Sequence, residues 1–473
     1  MKTKRHLAFI VLICVSSFIV GASALLLVQL VPSEGLRQNA YSALEVFEKA
    51  GIQRPSLASD TNAMRVDYYG DAHMYQLSLG ESEVSALQNA LLPRSYFDSA
   101  HPDELNNDQE VEGLRARLHG MGTDVDNGRY WNGFIVPLRL LGSILSYANL
   151  RMVNMAGLAI LFVAATILIM RTLGWSYGVA FVLSLMTMWV WLVAFCLEYL
   201  SVFYVMGIGV IVVLLLAKSG NLIKWGLEVF LLLGILCAYF DLFTAPLVTL
   251  GFPLIVVVLC LLRSNHKADF AYIVKQVLLL IGCWLLGFVG FWALKIVLTQ
   301  ILFGRGILAD VVDRLAGYTG ARNLTGTFLY QIFGLALPAN LGTLLGNKGQ
   351  DVLGSITAAW VRTVIALLLL FVPPVFVTGW TRLRNQRVGA ASVLLMIGAL
   401  PFLRMAVTSV HSDWNSFFTF REFGVAYFAM FVFCIYLAQM IHRARVSSKP
   451  ASLPLSGAQV FSEATDSHSG QAC

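Results

Sequence analysis

Stretch after stretch of this chain is apolar over the length of a bilayer crossing, and that repetition constrains its fold more than any other feature. Runs near or above the roughly 17 residues that a membrane helix needs occur at 6–31, 152–170, 175–194, 200–217, 225–240, 242–262, 277–298, 356–377, 391–410 and 417–440. In hydrocarbon every backbone polar group needs a partner inside the protein, which only helices and closed barrels supply. Runs this long and continuous predict helices. Composition agrees, since 58% of the residues are hydrophobic and 13% charged, with a mean hydropathy of +0.72, whereas a soluble domain carries about 25% charged residues. The expected fold class is therefore an all-α polytopic membrane helical bundle of about ten transmembrane helices.

The net charge of +6 follows topology. Lys2, Lys4 and Arg5, then Arg171, Lys218 with Lys224, Arg263 with Lys267, Arg382, Arg384 and Arg387, and finally Arg443, Arg445 and Lys449 fall in connectors that alternation places on one side. Basic residues mark the cytoplasmic side, so the expectation is a multi-pass protein of the cell membrane with both termini cytoplasmic and no nucleic-acid partner. The first run exceeds the ~7–15 residues of a signal-peptide core and reads as a retained anchor. Residues 1–445 then form one transmembrane domain with extracytoplasmic loops at 32–131 and 303–355. Residues 446–473, rich in Ser, Ala and Gln, form a disordered cytoplasmic tail. Within the second loop an apolar piece, 327–345, is interrupted by Pro338 and Gly342 and suits a re-entrant or surface-lying helix. The seven cysteines lack paired spacing, which argues against disulfides and a zinc site.

Ionisable residues are costly in lipid, so their depth is informative. Arg151, Glu198, Asp241, Lys295, Arg362, Arg404 and Arg421 all fall near outer helix ends, and Glu228, near an inner end, is the exception. Lys295 and Arg362 read singly as side chains that snorkel to the headgroups. Glu198 and Asp241 have short stems, and with the arginines they suggest a hydrated outer cavity suited to an anionic, lipid-attached ligand. Arg404 and Arg421 are the candidates for phosphate, because a guanidinium presents a planar fork to its oxygens. The first loop carries Asp67, Gly70, Asp71 and His73. If the chain is helical from Asp67, the two aspartates share a face, where one could take a proton from a hydroxyl while the other orients it or binds a divalent metal. Gly70 weakens that helix, and the alternative is that Asp71 caps a helix over 72–79. His73 is a further candidate metal ligand. Standard soluble-enzyme motifs for nucleotides, serine hydrolysis or zinc hydrolysis are absent.

Three stretches resemble a group of bacterial polytopic membrane proteins of unassigned function. They are Arg129-Tyr130-Trp131-Asn132-Gly133 leading to Arg139, the segment from Phe240-Asp241 to Leu254, and His411-Ser412 followed by Phe418-Thr419-Phe420-Arg421. The layout of one anchor, a large acidic outer loop and many spans also resembles the GT-C superfamily of membrane glycosyltransferases. That resemblance implies sugar transfer from a polyprenyl-phosphate donor to a cell-envelope acceptor, with Asp71 or Asp67 as the base. Arg404 or Arg421 would receive the donor phosphate, and Arg129, Tyr130 and Trp131 would line the acceptor route or stack on a sugar. Glu198, Asp241 and His411 would complete the substrate site. A lipid or polysaccharide flippase and a non-catalytic envelope scaffold are the competing readings; the flippase needs a pathway to the inner face, where the spans are almost purely apolar.

Overall fold

The computed structural model describes residues 2–50, 53–55, 65–97, 109–264, 269–304, 306–319, 336–344 and 386–447. The chain is an all-α polytopic bundle, with eight helices among the described residues long and apolar enough to cross a membrane. The N-terminal helix α1 (Lys2–Val28) is followed by a folded first loop. This loop contains α2 (Glu34–Ala50), α3 (Tyr68–Leu79), α4 (Ala86–Leu91), α5 (Gln109–Leu118) and α6 (Ile135–Gly142). Two short antiparallel pairs brace it, β1 (Gln53–Pro55) with β2 (Arg65–Asp67) and β3 (Arg94–Phe97) with β4 (Thr123–Asp126). The bundle continues through α7 (Tyr147–Thr172), α8 (Trp175–Thr187), α9 (Val190–Val193), α10 (Leu197–Lys218), α11 (Leu222–Phe240), α12 (Leu247–Ser264) and α13 (Phe270–Phe303). After α14 (Ile307–Tyr318) and α15 (Leu337–Leu344) come α16 (Gln386–Ala391), α17 (Val393–Gly398), α18 (Leu400–Val407), α19 (Ser409–Trp414) and α20 (Ser416–Thr419). A single 3-10 turn, Phe420–Glu422, then leads into α21 (Phe423–Ser447). The run at 356–377, Arg362 and the tail at 448–473 lie outside the described residues.

Three expected spans differ in detail, each for a local reason. The run at 175–194 is not one helix, because Trp189 adopts a left-handed backbone with φ of 52°, which a right-handed helix does not accommodate. The run at 242–262 starts late because Asp241 folds back on its own turn, its carboxylate accepting from the Thr244 backbone N–H and hydroxyl. The run at 391–410 is divided at Ser392 and Ala399 into successive helices. Pro401 sits at the start of the last of them, where its missing N–H has no cost.

The central helix is α12, with 83% of its apolar window buried. Beside it α11 and α13 pack backbone to backbone, and glycine is the cause. A Cβ on Gly234 would stand 2.2 Å from the Trp284 carbonyl oxygen, and one on Gly287 would stand 2.2 Å from that of Leu231. In lipid, helix association depends on such close approach. Two interior charges also find their explanation. Glu228, the inner-end exception, pairs with His6 Nδ1 at 2.6 Å. Lys295 does not snorkel; it is fully buried and donates to the Leu91 carbonyl oxygen, tying α13 to the first loop.

The first loop is a folded cap on one end of the bundle. Arg139 holds it down, donating to the Val31 carbonyl, to Gln29 Oε1 and to the Ser78 carbonyl, so the ends of α1 and α3 meet on one guanidinium. Within the cap, Gln76 donates to Glu110 and accepts from the Tyr96 N–H, and His73 pairs with Glu110 at 2.9 Å. His73 is therefore a packing partner of α5. The described part of the apolar piece in the second loop, α15, is also built in: Asn340 donates to the Ser412 carbonyl and accepts from the Thr419 hydroxyl.

Replacing Gly234 or Gly287 by Val is expected to separate α11 from α13 and lower the thermal midpoint in detergent, with a cost of about 1–3 kcal/mol. Gly282→Val, where an added Cβ meets nothing within 4 Å, serves as the control and leaves the midpoint close to that of the parent.

Candidate functional site

Glu198 at the start of α10, Asp241 just before α12 and Arg421 just before α21 lie at one end of the bundle, and α3 delivers the loop carboxylates to them. Asp67 is the N-cap of α3; its Oδ1 accepts from the Tyr69 and Gly70 N–H groups at 3.0 and 3.2 Å. This corrects the expected cap at Asp71. The helix begins before Gly70, and Asp71 lies inside its first turn. Gly70 does not weaken α3 because the position serves packing: a Cβ there would stand 1.8 Å from Glu198 Oε2. Only glycine lets the Glu198 side chain lie against this turn.

Three carboxyl groups meet as a result. Asp71 Oδ2 accepts from the Tyr147 hydroxyl at 2.6 Å and Oδ1 from the Glu198 backbone N–H at 3.3 Å. Asp67 accepts from the Tyr199 hydroxyl at 3.4 Å and shares a hydrogen bond with the Glu198 side chain. Its own N–H donates to Cys196 Sγ. Asp67 and Asp71 are almost completely buried, whereas Glu198 is half-buried and is the accessible member. Burial pushes the Asp71 carboxyl up to about 7, with the Asp67 charge adding to the rise and the Tyr147 hydrogen bond opposing it. Burial also raises Asp67 above the usual carboxylate range, against the pull of the α3 N–H groups. The helix terminus by itself favours the charged form; here desolvation outweighs it. Among the described residues no group of three or more His, Cys, Asp or Glu is arranged to hold a metal ion.

Arg421 lies beside this cluster. Its guanidinium sits 4.5 Å from the ring centroid of Tyr199, the residue whose hydroxyl reaches Asp67, and 4.8 Å from that of Phe420. Nη1 donates to the Phe417 carbonyl at 2.7 Å. Nε and Nη2 are buried with no partner, and buried donors of a charged group left unpaired are costly. Arg404 is different. It pairs with Glu422 at 3.1 Å, donates to the Phe243 carbonyl and stacks on the Phe243 ring, while Glu422 also accepts from the Leu247 N–H. Its charge is balanced by Glu422, although its Nε and Nη1 also lack a hydrogen-bond partner, so it braces the start of α12. Asp241, held by Thr244, is raised to about 6 by burial and belongs to the same brace.

The remaining candidates separate. Trp131 is fully buried, stacked 4.6 Å from Phe291 with its Nε1–H donated to the Phe291 carbonyl; both faces of the expected sugar platform are filled by core packing. Arg129 pairs with Asp310 on α14 at 3.2 Å and lies over Tyr130, and the Tyr130 hydroxyl is 3.4 Å from that of Tyr318. These two form a link from the first loop to α14. His411 stands edge-on to Tyr318 and Phe243 at 4.7 and 5.1 Å, with an unpartnered Nδ1. Glu422, Tyr147, Tyr199 and Cys196 were not among the expected site residues. The adjacency of Glu422 to Arg421 was visible in the sequence, but the tyrosines carried no signal, since aromatic residues at span ends are ordinary. Comparison with family models, curated proteins and solved structures found no match to this chain.

The contact at Gly70 makes a measurable coupling. Gly70→Ala is expected to destabilise the protein by about 1–3 kcal/mol, and Glu198→Ala in the same chain should restore much of that loss by vacating the space. A thermal-unfolding double-mutant cycle checks it: additive effects would mean that Gly70 and Glu198 do not touch.

Proposed function

We propose that this chain is a membrane glycosyltransferase of GT-C type, moving a sugar from a polyprenyl-phosphate donor to a cell-envelope acceptor on the extracytoplasmic face, with both termini in the cytoplasm. One observation carries the reading: a hydrogen-bonded carboxyl pair, Asp67 with the half-buried Glu198, lies next to a buried arginine with two unpartnered nitrogens. Base and anion receptor are the two devices that an inverting displacement at a phosphate-linked sugar requires.

The site divides the work as follows. Asp67 and Glu198 are joined by a hydrogen bond and act together as the base. The acceptor hydroxyl gives its proton to this carboxyl pair as its oxygen forms the bond to the anomeric carbon. The bond from that carbon to the phosphate oxygen breaks, and its electron pair leaves on polyprenyl phosphate. Arg421 offers Nε and Nη2 to the departing phosphate. Asp71 is a positioning residue, because its oxygens are taken by Tyr147 and by the Glu198 backbone. Relative to the sequence-based expectation, the base becomes the pair that Asp67 forms with Glu198, and the phosphate role falls to Arg421 alone.

The test is sugar transfer by the purified chain in lipid nanodiscs, from a panel of polyprenyl-phosphate hexoses. Glu198→Gln keeps the shape of the side chain and is expected to lower turnover on the order of a hundredfold or more. Arg421→Gln should weaken donor binding by about 1.5–3 kcal/mol. Unchanged turnover in folded Glu198→Gln protein, or no transfer by the wild-type chain from any donor, would overturn the reading.

A further inference from the structure

On α13 every exposed residue between Lys275 and Gly304 is apolar or glycine, so this strip faces acyl chains. From Leu278 to Leu302 it runs about 36 Å at 1.5 Å per residue, enough to fill a hydrocarbon core of about 30 Å. The hydrocarbon therefore ends close to where α13 ends, and there the chain turns. Gly304 closes α13 with φ of 58° and Gly306 precedes α14 with φ of 69°, both in the left-handed region that glycine tolerates. Gln300 fixes the turn by accepting from the Leu308 N–H at 3.1 Å. Along α14 the side chains divide by their angle around the axis. Ile307 and Val311 are buried against Leu92 and Ile296, and Tyr318 on the same side stacks on Phe243 and meets His411. The adjacent face carries Leu308, Val312 and Leu315, which are 56, 59 and 44% exposed. Asp310, Asp313 and Arg314 occupy the rest of the circumference, with Asp310 held by Arg129. An open groove of about 630 Å³ follows the apolar face, lined by Leu308, Ala309, Val312 and Ala316 together with Gln300 and Asp313.

Water is a poor medium for the Leu308, Val312 and Leu315 face, and lipid is continuous with it. The exposed Ile301 and Leu302 end the lipid-facing strip of α13 immediately before the turn that leads to Leu308. We propose that α14 lies along the headgroup–acyl boundary at the capped end of the bundle, with Leu308, Val312 and Leu315 seated among the upper acyl methylenes of bilayer phospholipid. Amphipathic helices bury an apolar face about 5–10 Å into that boundary. With two aspartates and one arginine, α14 offers no basic face to anionic headgroups, so its attraction is to the acyl chains whatever headgroup they carry. The surface-lying role considered for 327–345 passes to 307–318, because α15 is packed into the bundle. This inference concerns the seating of α14 alone and does not rest on sugar transfer.

The experiment uses the full chain in phosphatidylcholine nanodiscs, with an environment-sensitive fluorescent amino acid replacing Val312 or, as the control, Arg314. Both positions are exposed, so neither replacement disturbs packing. Phosphatidylcholine brominated on the upper part of its acyl chain is expected to quench the probe at 312 and to leave the probe at 314 bright. Bromines near the chain end should quench position 312 less. Three results would overturn the proposal. A probe at 312 that escapes both lipids and is quenched by aqueous iodide would mean that the face meets water. One that escapes both lipids and iodide would mean that protein covers it, from a second copy or another segment of this chain. Stronger quenching by the deep bromines would place α14 in the hydrocarbon core. If the labelled chains do not fold, photoreactive phosphatidylcholine on the wild-type chain decides: labelling within 308–316 is expected, and labelling of 278–302 with none in 307–318 would contradict the seating.

Discussion

The docking of α3 on the first turn of α10 is the contact on which the capped end of this protein depends. It works because residue 70 has no side chain: Glu198 occupies the volume that a Cβ would need, and the two aspartates that flank the glycine then meet Glu198, Tyr199 and Tyr147. Buried carboxylates are unfavourable when charged and unpaired. Here they are satisfied by hydroxyl and backbone donors and by sharing protons, so the cluster fixes the position of the first loop while retaining acid–base capacity. A conformational constraint at one glycine thus becomes a chemical property of the site.

The two arginines at this end show how neighbours decide what a charge does. Arg404 has a carboxylate at 3.1 Å and backbone carbonyls, and its role is to lock the beginning of α12. Arg421, embedded between Tyr199 and Phe420, has one carbonyl and two idle donors. In the proposed function those two donors are what an anion would use.

The spans were legible because hydrophobic length is a one-dimensional property, and the side-by-side fit of α11 and α13 was not, because Gly234 and Gly287 acquire meaning only when the facing carbonyls are known. The same limit explains the site. Asp67, Asp71, Glu198 and Arg421 stood out as costly residues near the outer end, yet which aspartate caps α3 depended on where the helix starts, and that start is set by the docking of Gly70 on α10. Trp131 was read as an interfacial ring with sugar-binding potential; three-dimensional packing against Phe291 and Tyr239 fills its faces instead. Lys295 was likewise read as snorkelling to the headgroups and Arg404 as a phosphate ligand, whereas a carbonyl and a carboxylate hold them.

The central claim, that a buried carboxyl cluster holds protons at the docking of α3 on α10, is tested most directly by the pH dependence of stability. Asp71 has an ordinary value of 3.8 and is raised to about 7 by burial in the folded chain, so between about pH 4 and 7 the folded state binds a proton that the unfolded state has released. Its contribution is present at low pH and is lost as pH rises through 7. Asp71→Asn removes that group while leaving an acceptor for Tyr147. Thermal midpoints of the two proteins, measured from pH 5 to 8, are expected to converge or cross in favour of the variant as pH rises, with a difference in slope approaching about 1.4 kcal/mol per pH unit. Parallel profiles, or a variant that loses ground as pH rises, would mean that Asp71 is charged in the folded protein and would contradict the account.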